Sequence, residues 1–461
     1  MIQGAHRLPL DSPALLAAVG AVALGLIWVL GRELRKIPPK LGVLMATAFV
    51  DMVGLLMVLP LLPFYAKSLG GEHGVTVGTW HLGIGAVVAL LVSSFTVAQL
   101  VSAPMWGRFS DRVGRRPALC IALGASAAAY LIFAFAGSLW LLFLSRLVQG
   151  AGGGTVGVIQ AYVADATEPH ERAKALGWLS AATNLGVALG PVLGAVAVAV
   201  GDRPVRFGGG EPWSLGDTAP GLFAALLCLV NLAFCWRFLR EARQPGSGEH
   251  AAVAPKRSGE AVRRVVSHSA EPASRLIWIY AVTIGAFQGV NAILALFLAQ
   301  RFGVTEATIS YFFTYVGAIS VFSRVLLLGR AVDAFGEARL SRYGMTLMGT
   351  GLALMPVSRS LAMLAVAVAL LPLGAAFTFP CVTALLSRVI PGNERGLYMG
   401  VQQTFGGVSR VVFPIIFGVL FDVVGYRWSY WLAASVVFTT IFLGLGLDAY
   451  AKPKGALEPA R

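Results

Sequence analysis

Long apolar segments fill most of this chain, and its polar residues are gathered in short stretches between them. From residue 41 onwards, twelve of these segments have about 20 residues or more, the length that a helix needs to cross a hydrocarbon layer. Because a bilayer offers no water to the backbone, we predict that each segment is a helix that satisfies its own hydrogen bonds. The predicted spans lie at about 41–65, 81–106, 117–137, 139–166, 174–200, 219–239, 275–300, 308–328, 338–357, 360–388, 396–420 and 428–450.

A polar stretch at residues 241–274 divides the twelve spans into two sets of six. It is rich in Ser, Gly, Pro and charged residues and shows no apolar periodicity, so we predict a flexible linker. The predicted fold class is therefore an all-α integral membrane protein. It has one six-helix bundle at 41–240, a second at 275–450 and a short polar tail at 451–461.

A further apolar run at residues 13–31 lies within the leading segment 1–40, and basic residues follow it. A cleaved signal peptide would carry its positive charge before the run and a small-residue cleavage site after it. We therefore predict a retained extra span with its N-terminus outside. A wrongly assigned start and a mobile leader are the alternatives, because the second half has no counterpart of this run.

The composition agrees with a membrane protein. Of 461 residues, 57% are hydrophobic and 13% are charged, whereas a soluble domain carries about 25% charged residues. The net charge of +14 does not indicate a nucleic-acid partner, because the basic residues lie at helix ends and not in one patch. Most of the 36 Lys and Arg fall on one side of twelve alternating spans, which predicts that both ends of the core are cytoplasmic. We expect a monomer in the lipid of a bacterial inner membrane.

A short basic loop at residues 107–117 separates the second and third spans, and its glycines and charges repeat in weaker form in the second half. The spacing is G-x-x-x-D-R-x-G-R-R. In the second copy Asp333 and Gly336 are kept, but Glu337 and Ala338 replace the paired arginines. Six spans per half mean that the halves share one topology and are related by an axis along the membrane normal, with a substrate site near the midplane. The loop residues are Gly107, Asp111, Arg112, Gly114, Arg115 and Arg116.

The chain from Leu41 to Tyr450 resembles the major facilitator superfamily, and within it the twelve-span branch of tetracycline-efflux and drug:proton antiporters. The loop matches the family's motif at every key position. A glycine-rich pattern in the fifth span resembles the motif associated with antiporters, although Ala195 stands where a second glycine is usual. The other matching positions are Asp51, Gly54, Pro60 and Pro63 in the first span, Leu142, Arg146, Gln149, Gly150 and Gly152 in the fourth, and Gly186, Gly190, Pro191 and Gly194 in the fifth.

The resemblance implies a latch between the halves. Asp111 is expected to lie against the start of the eleventh span, near Gly396, where the helix dipole favours an anion. Arg115 is expected to reach Asp165 at the inner end of the fourth span. The latch would hold the halves together when the outer side is open, with its strong side at Asp111.

Asp51 is the one carboxylate near the middle of a core span, about 16 Å from the inner surface by helical rise, and Arg146 lies at a similar depth. An unpaired charge there costs about 3 kcal/mol on insertion scales. We therefore expect the two residues to pair. A permanent ion pair that fixes helix packing is one interpretation. In the other, protonation of Asp51 releases Arg146 and biases one access state, and the resemblance favours this one.

The glycines of the fifth span permit close helix packing, and the Gly190–Pro191 pair predicts a kink. In antiporters of this type that helix is thought to seal the inner interface, so we treat it as a gating helix.

Uncharged polar and aromatic residues at membrane depth form a candidate substrate cavity. Each polar group alone is explained by a hydrogen bond to a neighbouring helix, but together the residues suit amphipathic or aromatic solutes. Arg410 either faces an anionic substrate or extends to an outer interface. The candidate residues are Gln99, Tyr130, Gln149, Phe287, Gln288, Asn291, Tyr315, Gln402, Gln403, Phe405 and Arg410.

The predicted function is proton-coupled efflux of small amphipathic molecules by alternating access. Proton-coupled import of a nutrient or organic anion is the alternative. We expect no cofactor and no metal site, because no histidine lies deep in a core span, and the sequence carries no Walker loop for ATP. An enzyme is not predicted, since neither clustered metal ligands nor a nucleophile with a base is visible.

Overall fold

Two helical bundles, one from each half of the chain, form the fold. The computed structural model describes residues 39–71, 74–153, 155–168, 171–202, 215–241, 255–391 and 394–450. The extra span predicted at 13–31 and the tail at 451–461 lie outside these residues. The helices of the first half are α1 Pro39–Val58, α2 Leu62–Gly70, α3 Ile84–Val113, α4 Arg115–Ala134, α5 Leu139–Gly152, α6 Thr155–Ala166, α7 Arg172–Gly201 and α8 Ala219–Phe238.

A thirteen-residue helix and a second bundle complete the described chain. The following helices are α9 Pro255–Ser267, α10 Pro272–Phe302, α11 Glu306–Phe322, α12 Leu328–Phe335, α13 Glu337–Leu354, α14 Leu361–Val389, α15 Arg395–Val423 and α16 Tyr426–Leu443. A short antiparallel hairpin, β1 Val75–Val77 with β2 Trp80–Leu82, precedes α3.

The predicted all-α class is confirmed, and the helices follow the predicted spans closely. Within the described residues, ten helical segments are long and apolar enough to cross a membrane, judged by length and composition alone. The two remaining predicted spans correspond to α13 and α16, helices of 18 residues that are not among those ten.

The polar stretch at 241–274 contains helix α9, which the sequence reading did not predict. Ala261 and Val265 are buried on one face of this helix, while Arg263 and Arg264 on the other face are exposed. Buried residues one turn apart are typical of an amphipathic helix, and the two arginines between them concealed this pattern. The linker is therefore helical at this point rather than uniformly flexible.

Two local departures from α-helix interrupt the spans. In the fourth span α5 ends at Gly152 and α6 begins at Thr155, so the two helices are divided within the sequence Gly152-Gly153-Gly154. The eighth span contains a π-helical turn at Ser323–Leu327, between α11 and α12. Such turns are rare and occur frequently at functional sites.

The most extensive contacts between the two halves are those of α3 with α15 and of α7 with α11. In the first pair, a Cβ on Gly85 would lie 2.6 Å from the carbonyl oxygen of Gly418. In the second pair, a Cβ on Gly317 would lie 2.6 Å from the Cα of Ala188. Both contacts need glycine, since any side chain would separate the backbones. We call the end of the bundle that carries residues 107–117 the motif end, and the opposite end the far end.

Candidate functional site

Asp51 lies in α1 with 9% of its surface exposed. Its Oδ2 accepts a 2.7 Å hydrogen bond from the hydroxyl of Thr155. Thr155 is the first residue of α6, so the carboxyl group faces the start of the half-helix that follows the break. Helix N-termini favour negative charge, and interrupted membrane helices place such ends at substrate and ion sites.

Arg146 does not pair with Asp51, so the predicted ion pair is wrong for this conformation. Of the described residues, none accepts a hydrogen bond from its Nη2, and its Nε lies 3.5 Å from the hydroxyl of Ser145. The guanidinium lies 5.4 Å from the ring centroid of Phe133. Arg146 is 1% exposed, and an unpaired cation buried to this degree needs a counter-charge at some stage of a working cycle.

Tyr130 lies close enough to interact electrostatically with both Asp51 and Arg146. Its hydroxyl accepts a 2.5 Å hydrogen bond from Nε2 of Gln149. The hydroxyl also packs against the backbone of α1, where a Cβ on Gly54 would lie 3.2 Å from it. The phenol, and not the arginine, therefore lies against α1 one turn beyond Asp51.

At the motif end, Arg115 is 5% exposed and forms two ion pairs. Its Nε lies 2.9 Å from Oδ2 of Asp165, which confirms the predicted contact, and its Nη2 lies 2.7 Å from Oδ1 of Asp111. Asp111 was expected near Gly396, but it pairs with Arg115 on the adjacent turn, and no described atom lies within 4 Å of a Cβ placed on Gly396. The contact of Asp111 with the start of the eleventh span stays a prediction.

The loop predicted at residues 107–117 is mostly helical, because α3 runs to Val113 and α4 begins at Arg115, with Gly114 alone between them. Gly114 has φ +105, a conformation that favours glycine. The carboxylate of Glu241, which follows α8, accepts hydrogen bonds from the backbone amides of Arg115 and Arg116 at 2.9 and 3.0 Å. The side chain of Arg116 donates to the carbonyl of Trp236 at 2.5 Å, whereas Arg112 is exposed and no described atom lies within 4 Å of a Cβ on Gly107.

The second half contains an ion pair of reversed sign at the equivalent place. Glu337, at the start of α13, pairs with Arg388 at the end of α14. In the first half the arginine is at the start of α4 and the carboxylate follows at the end of the fourth span. Asp333 is exposed, and Gly336 has φ +73 at the turn into α13. The weaker second copy is thus a charge-reversed pair and not a lost one.

The glycines of α7 pack on α1 within the first half. Gly186, Gly190 and Gly194 face successive turns of α1, with carbonyl oxygens 2.6 to 3.0 Å from the position of a Cβ. The contact with the second half is made by Ala188, and Pro191 lines the space between the halves. The gating role expected for this helix stays a prediction.

Three cavities hold most of the predicted substrate residues. A cavity of about 280 Å³ between the halves is lined by Phe287, Gln288 and Asn291, with Pro191 and Arg324. The second cavity, of about 370 Å³, lies nearer the motif end. It is lined by Gln99, Gln403 and Arg410, with Trp106 and Gly107.

The third cavity, of about 30 Å³, contains Asp51 with Gln99, Tyr130, Gln149 and Thr155. Tyr315, Gln402 and Phe405 line none of these three. Tyr315 is 39% exposed and donates to the carbonyl of Ala365, Gln402 is fully buried, and Phe405 stacks edge-on against Trp278. Depth in a span predicts neither the direction of a side chain nor its partner.

Asp422, in the last turn of α15, joins the halves at the far end. Its Oδ1 and Oδ2 accept hydrogen bonds from the backbone amides of Gly85 and Ala86 at 2.8 and 2.7 Å. Gly83, the residue before α3, supplies no side-chain cap. A carboxylate at the end of α15 therefore caps the first turn of α3 in the other half.

The halves are in contact at the far end, and glycines near the motif end have open space beside them. Among the described residues, no atom lies within 4 Å of a Cβ placed on Gly107 of α3, Gly177 of α7, Gly329 of α12 or Gly396 of α15. The far-end position Gly85 meets the backbone of α15 directly. The cavity with Gln403 and Arg410 lies nearer the motif end, between α3 of one half and α15 of the other.

Comparisons with known proteins agree with this arrangement. The sequence profile described as Major Facilitator Superfamily matches residues 44–327 and 276–459. Multidrug resistance protein 1 of Bacillus subtilis (strain 168) is 27% identical over 409 residues, covering 88% of this chain and 94% of that protein. Tetracycline resistance protein, class B, of Escherichia coli is 24% identical over 406 residues, with coverage of 88% and 94%. The crystal structure of the human organic anion transporter MFSD10 (TETRAN) superposes with a TM-score of 0.65 at 22% identity, covering 88% of this chain and 100% of that chain.

Proposed function

The chain belongs to the Major Facilitator Superfamily, and we propose that it exports small amphipathic molecules in exchange for protons. It is a multi-pass integral membrane transporter. The multidrug and tetracycline resistance relatives support export, as does the antiporter-like pattern in α7. The likeness to the human organic anion transporter, at 22% identity, concerns the fold alone.

The observation that carries proton coupling is the separation of Asp51 from Arg146. Burial of a charged carboxylate with one hydroxyl as its hydrogen-bond donor is costly, so we assign the protonated form to Asp51 in this conformation. Loss of that proton creates a charge that Thr155 alone does not balance. Arg146 is the nearby cation that lacks a partner for its Nη2, and we expect it to move towards Asp51.

The different contacts at the far end and the motif end indicate how access alternates between the two sides of the membrane. We assign the motif end to the cytoplasm, because Lys and Arg concentrate there, so this structure represents an inward-open state. The Asp422 contact would then hold the outer side closed. When the outer side opens, that contact breaks, and Asp111 becomes available to the start of α15, as the resemblance implies.

Proton-coupled import is the second candidate, because Arg410 lines the cavity and would favour an anionic nutrient. The two functions are distinguished by the direction of proton movement. An exporter by exchange releases protons into the compartment from which it removes substrate, whereas a symporter removes protons with substrate. We place the protein in a bacterial inner membrane as a monomer.

The experiment begins with a growth screen of a pump-deficient bacterial host that overexpresses the protein, against a panel of amphipathic compounds. A compound to which the protein confers resistance is then added to purified protein in proteoliposomes that contain a pH-sensitive dye. Substrate-driven proton antiport supports the proposal, and co-movement of substrate and protons in one direction contradicts it.

A further inference from the structure

Two arginines in the second half interact with the same phenol. Arg410, in α15, donates from Nη2 to the hydroxyl of Tyr280 at 3.3 Å. Arg324, in the π-helical turn, lies within electrostatic reach of that hydroxyl. Tyr280 is 8% exposed and stacks edge-on against Phe379, with ring centroids 5.6 Å apart. The two guanidinium groups therefore both lie near the hydroxyl of Tyr280.

Neither arginine has a carboxylate partner within the part of the chain that the structure describes, since no ion pair includes Arg324 or Arg410. The Nε of Arg324 is buried without a hydrogen-bond partner. The second half carries no mid-span carboxylate in its sequence, and its acidic residues lie near helix ends. Two cations in an apolar interior without a counter-ion call for an anion from elsewhere.

Both arginines line the space between the halves. Arg324 lines the 280 Å³ cavity together with Phe287 and Phe379, and Arg410 lines the 370 Å³ cavity together with Gln403 and Trp106. Tyr280 links the two cavities, because its ring packs against Phe379 and its hydroxyl accepts a hydrogen bond from Arg410. Aromatic walls beside the two cations suit a molecule with an apolar body and an anionic group.

The π-helical turn gives Arg324 its position. A π-turn adds one residue to a helix and rotates the side chains that follow it relative to a regular helix. The neighbours Val325 and Leu326 are exposed on the surface of the bundle, at 58% and 46%, while Arg324 lines the cavity. The irregular turn in this membrane helix therefore lies at the residue whose guanidinium group lines the cavity.

We propose that Arg324, Arg410 and Tyr280 form a binding site for the anionic group of the transported molecule, so that the substrates are amphipathic organic anions. A carboxylate, sulfonate or phosphate monoester accepts hydrogen bonds from two guanidinium groups and the phenol. This inference rests on the proposed transport function and defines its substrate class. It also assigns the orientation of Arg410, which faces the cavity and not the outer interface.

The test uses three probes that share one aromatic body: 2-naphthoate, 2-naphthamide and 2-naphthylmethylammonium. Binding is measured by equilibrium dialysis at neutral pH to the full chain in nanodiscs of phosphatidylcholine alone, so that no anionic lipid competes for the site. We expect naphthoate to bind about tenfold or more tightly than the other two. Equal binding of the three, preference for the ammonium, or no naphthoate binding up to millimolar concentration contradicts the proposal.

The variants Arg324→Gln and Arg410→Gln locate the site. Each is expected to weaken naphthoate about tenfold while leaving naphthamide binding unchanged, and Arg324→Lys should retain part of the preference. Arg330→Gln is the matched control. Arg330 lies in α12, which follows the π-helical turn, and its exposed side chain donates to the carbonyl of Leu326. Unchanged naphthoate binding in both glutamine variants rules out this site.

Proton flux in the same preparations separates this inference from the transport proposal. Naphthoate binding that depends on both arginines, without any coupled proton movement, supports the site and contradicts proton exchange. Proton exchange driven by the ammonium probe and unaffected by either arginine variant supports exchange and contradicts the site.

Discussion

The Oδ1 atom of Asp422 accepts a 2.8 Å hydrogen bond from the backbone amide of Gly85, a residue of the other half of the molecule. The first turn of a helix has amide groups without intrahelical partners, and here a carboxylate from the end of α15 satisfies two of them. The contact exists only while the far ends of α3 and α15 touch. Asp422 is therefore positioned to favour the conformation in which the far end is closed.

Replacement of Asp422 by Asn is expected to open the far end. Hydrogen bonds to a charged group contribute about 1.5–3 kcal/mol, so the open population should rise by roughly tenfold or more. The measurement is the rate at which an impermeant maleimide, added from outside, labels a cysteine introduced at Val88, which lines the cavity between the halves. The four described cysteines are buried and give a low background.

Asp333→Asn is the matched control for this variant, because Asp333 is an exposed carboxylate at the motif end. It should leave the labelling rate unchanged. A wild-type rate in Asp422→Asn would show that the cap does not hold the far end closed.

Far-end closure should also depend on pH through Glu306. Burial raises the pKa of Glu306, and the negative charges of Asp217 and Asp202 in the other half raise it further. A carboxyl group whose pKa is higher in the closed than in the open form favours closure when protonated. This contribution is fully present below the ordinary pKa of glutamate and is lost as pH rises through the raised pKa.

The same labelling assay measures this contribution as a pH titration. Labelling at position 88 should increase with pH over that window, and Glu306→Gln should remove this part of the dependence while keeping the far end closed. Identical pH profiles in the wild type and Glu306→Gln would contradict the assignment.

The Glu337–Arg388 ion pair of the second half should still form when its two charges are exchanged. Arg388→Ala leaves Glu337, which is 9% exposed, without this cation, and we expect a loss of about 1–2 kcal/mol because Arg388 itself is partly in solvent. Glu337→Arg with Arg388→Asp reproduces the order of charges of the first half. Thermal unfolding in detergent should show that the double variant recovers more than half of the loss caused by Glu337→Arg alone. Additive losses would mean that the two residues have no interaction energy with each other.

The sequence predicted the fold because the bilayer imposes long apolar helices whose ends are marked by charge and glycine. The contact of Arg115 with Asp165 was predictable for the same reason, since both residues lie at helix ends on one side. The relation of Asp51 to Arg146 was not predictable, because equal depth in the membrane does not define which way each side chain points from its helix. In the structure Tyr130, and not Arg146, lies against α1 beside Asp51. The hydrogen bonds of Asp422 go to backbone amides, which carry no signature in the sequence. The turn at Arg324 is likewise a backbone feature.

The central claim, proton exchange through Asp51, is tested most directly by proton flux in proteoliposomes. Wild-type protein and Asp51→Asn are compared with a compound found in the growth screen, and thermal unfolding establishes that the variant is folded. We predict that the wild type moves protons against the direction of the compound, and that Asp51→Asn still binds the compound but moves no protons. Uphill transport by Asp51→Asn with the wild-type pH dependence would contradict the account and leave Asp51 a structural residue.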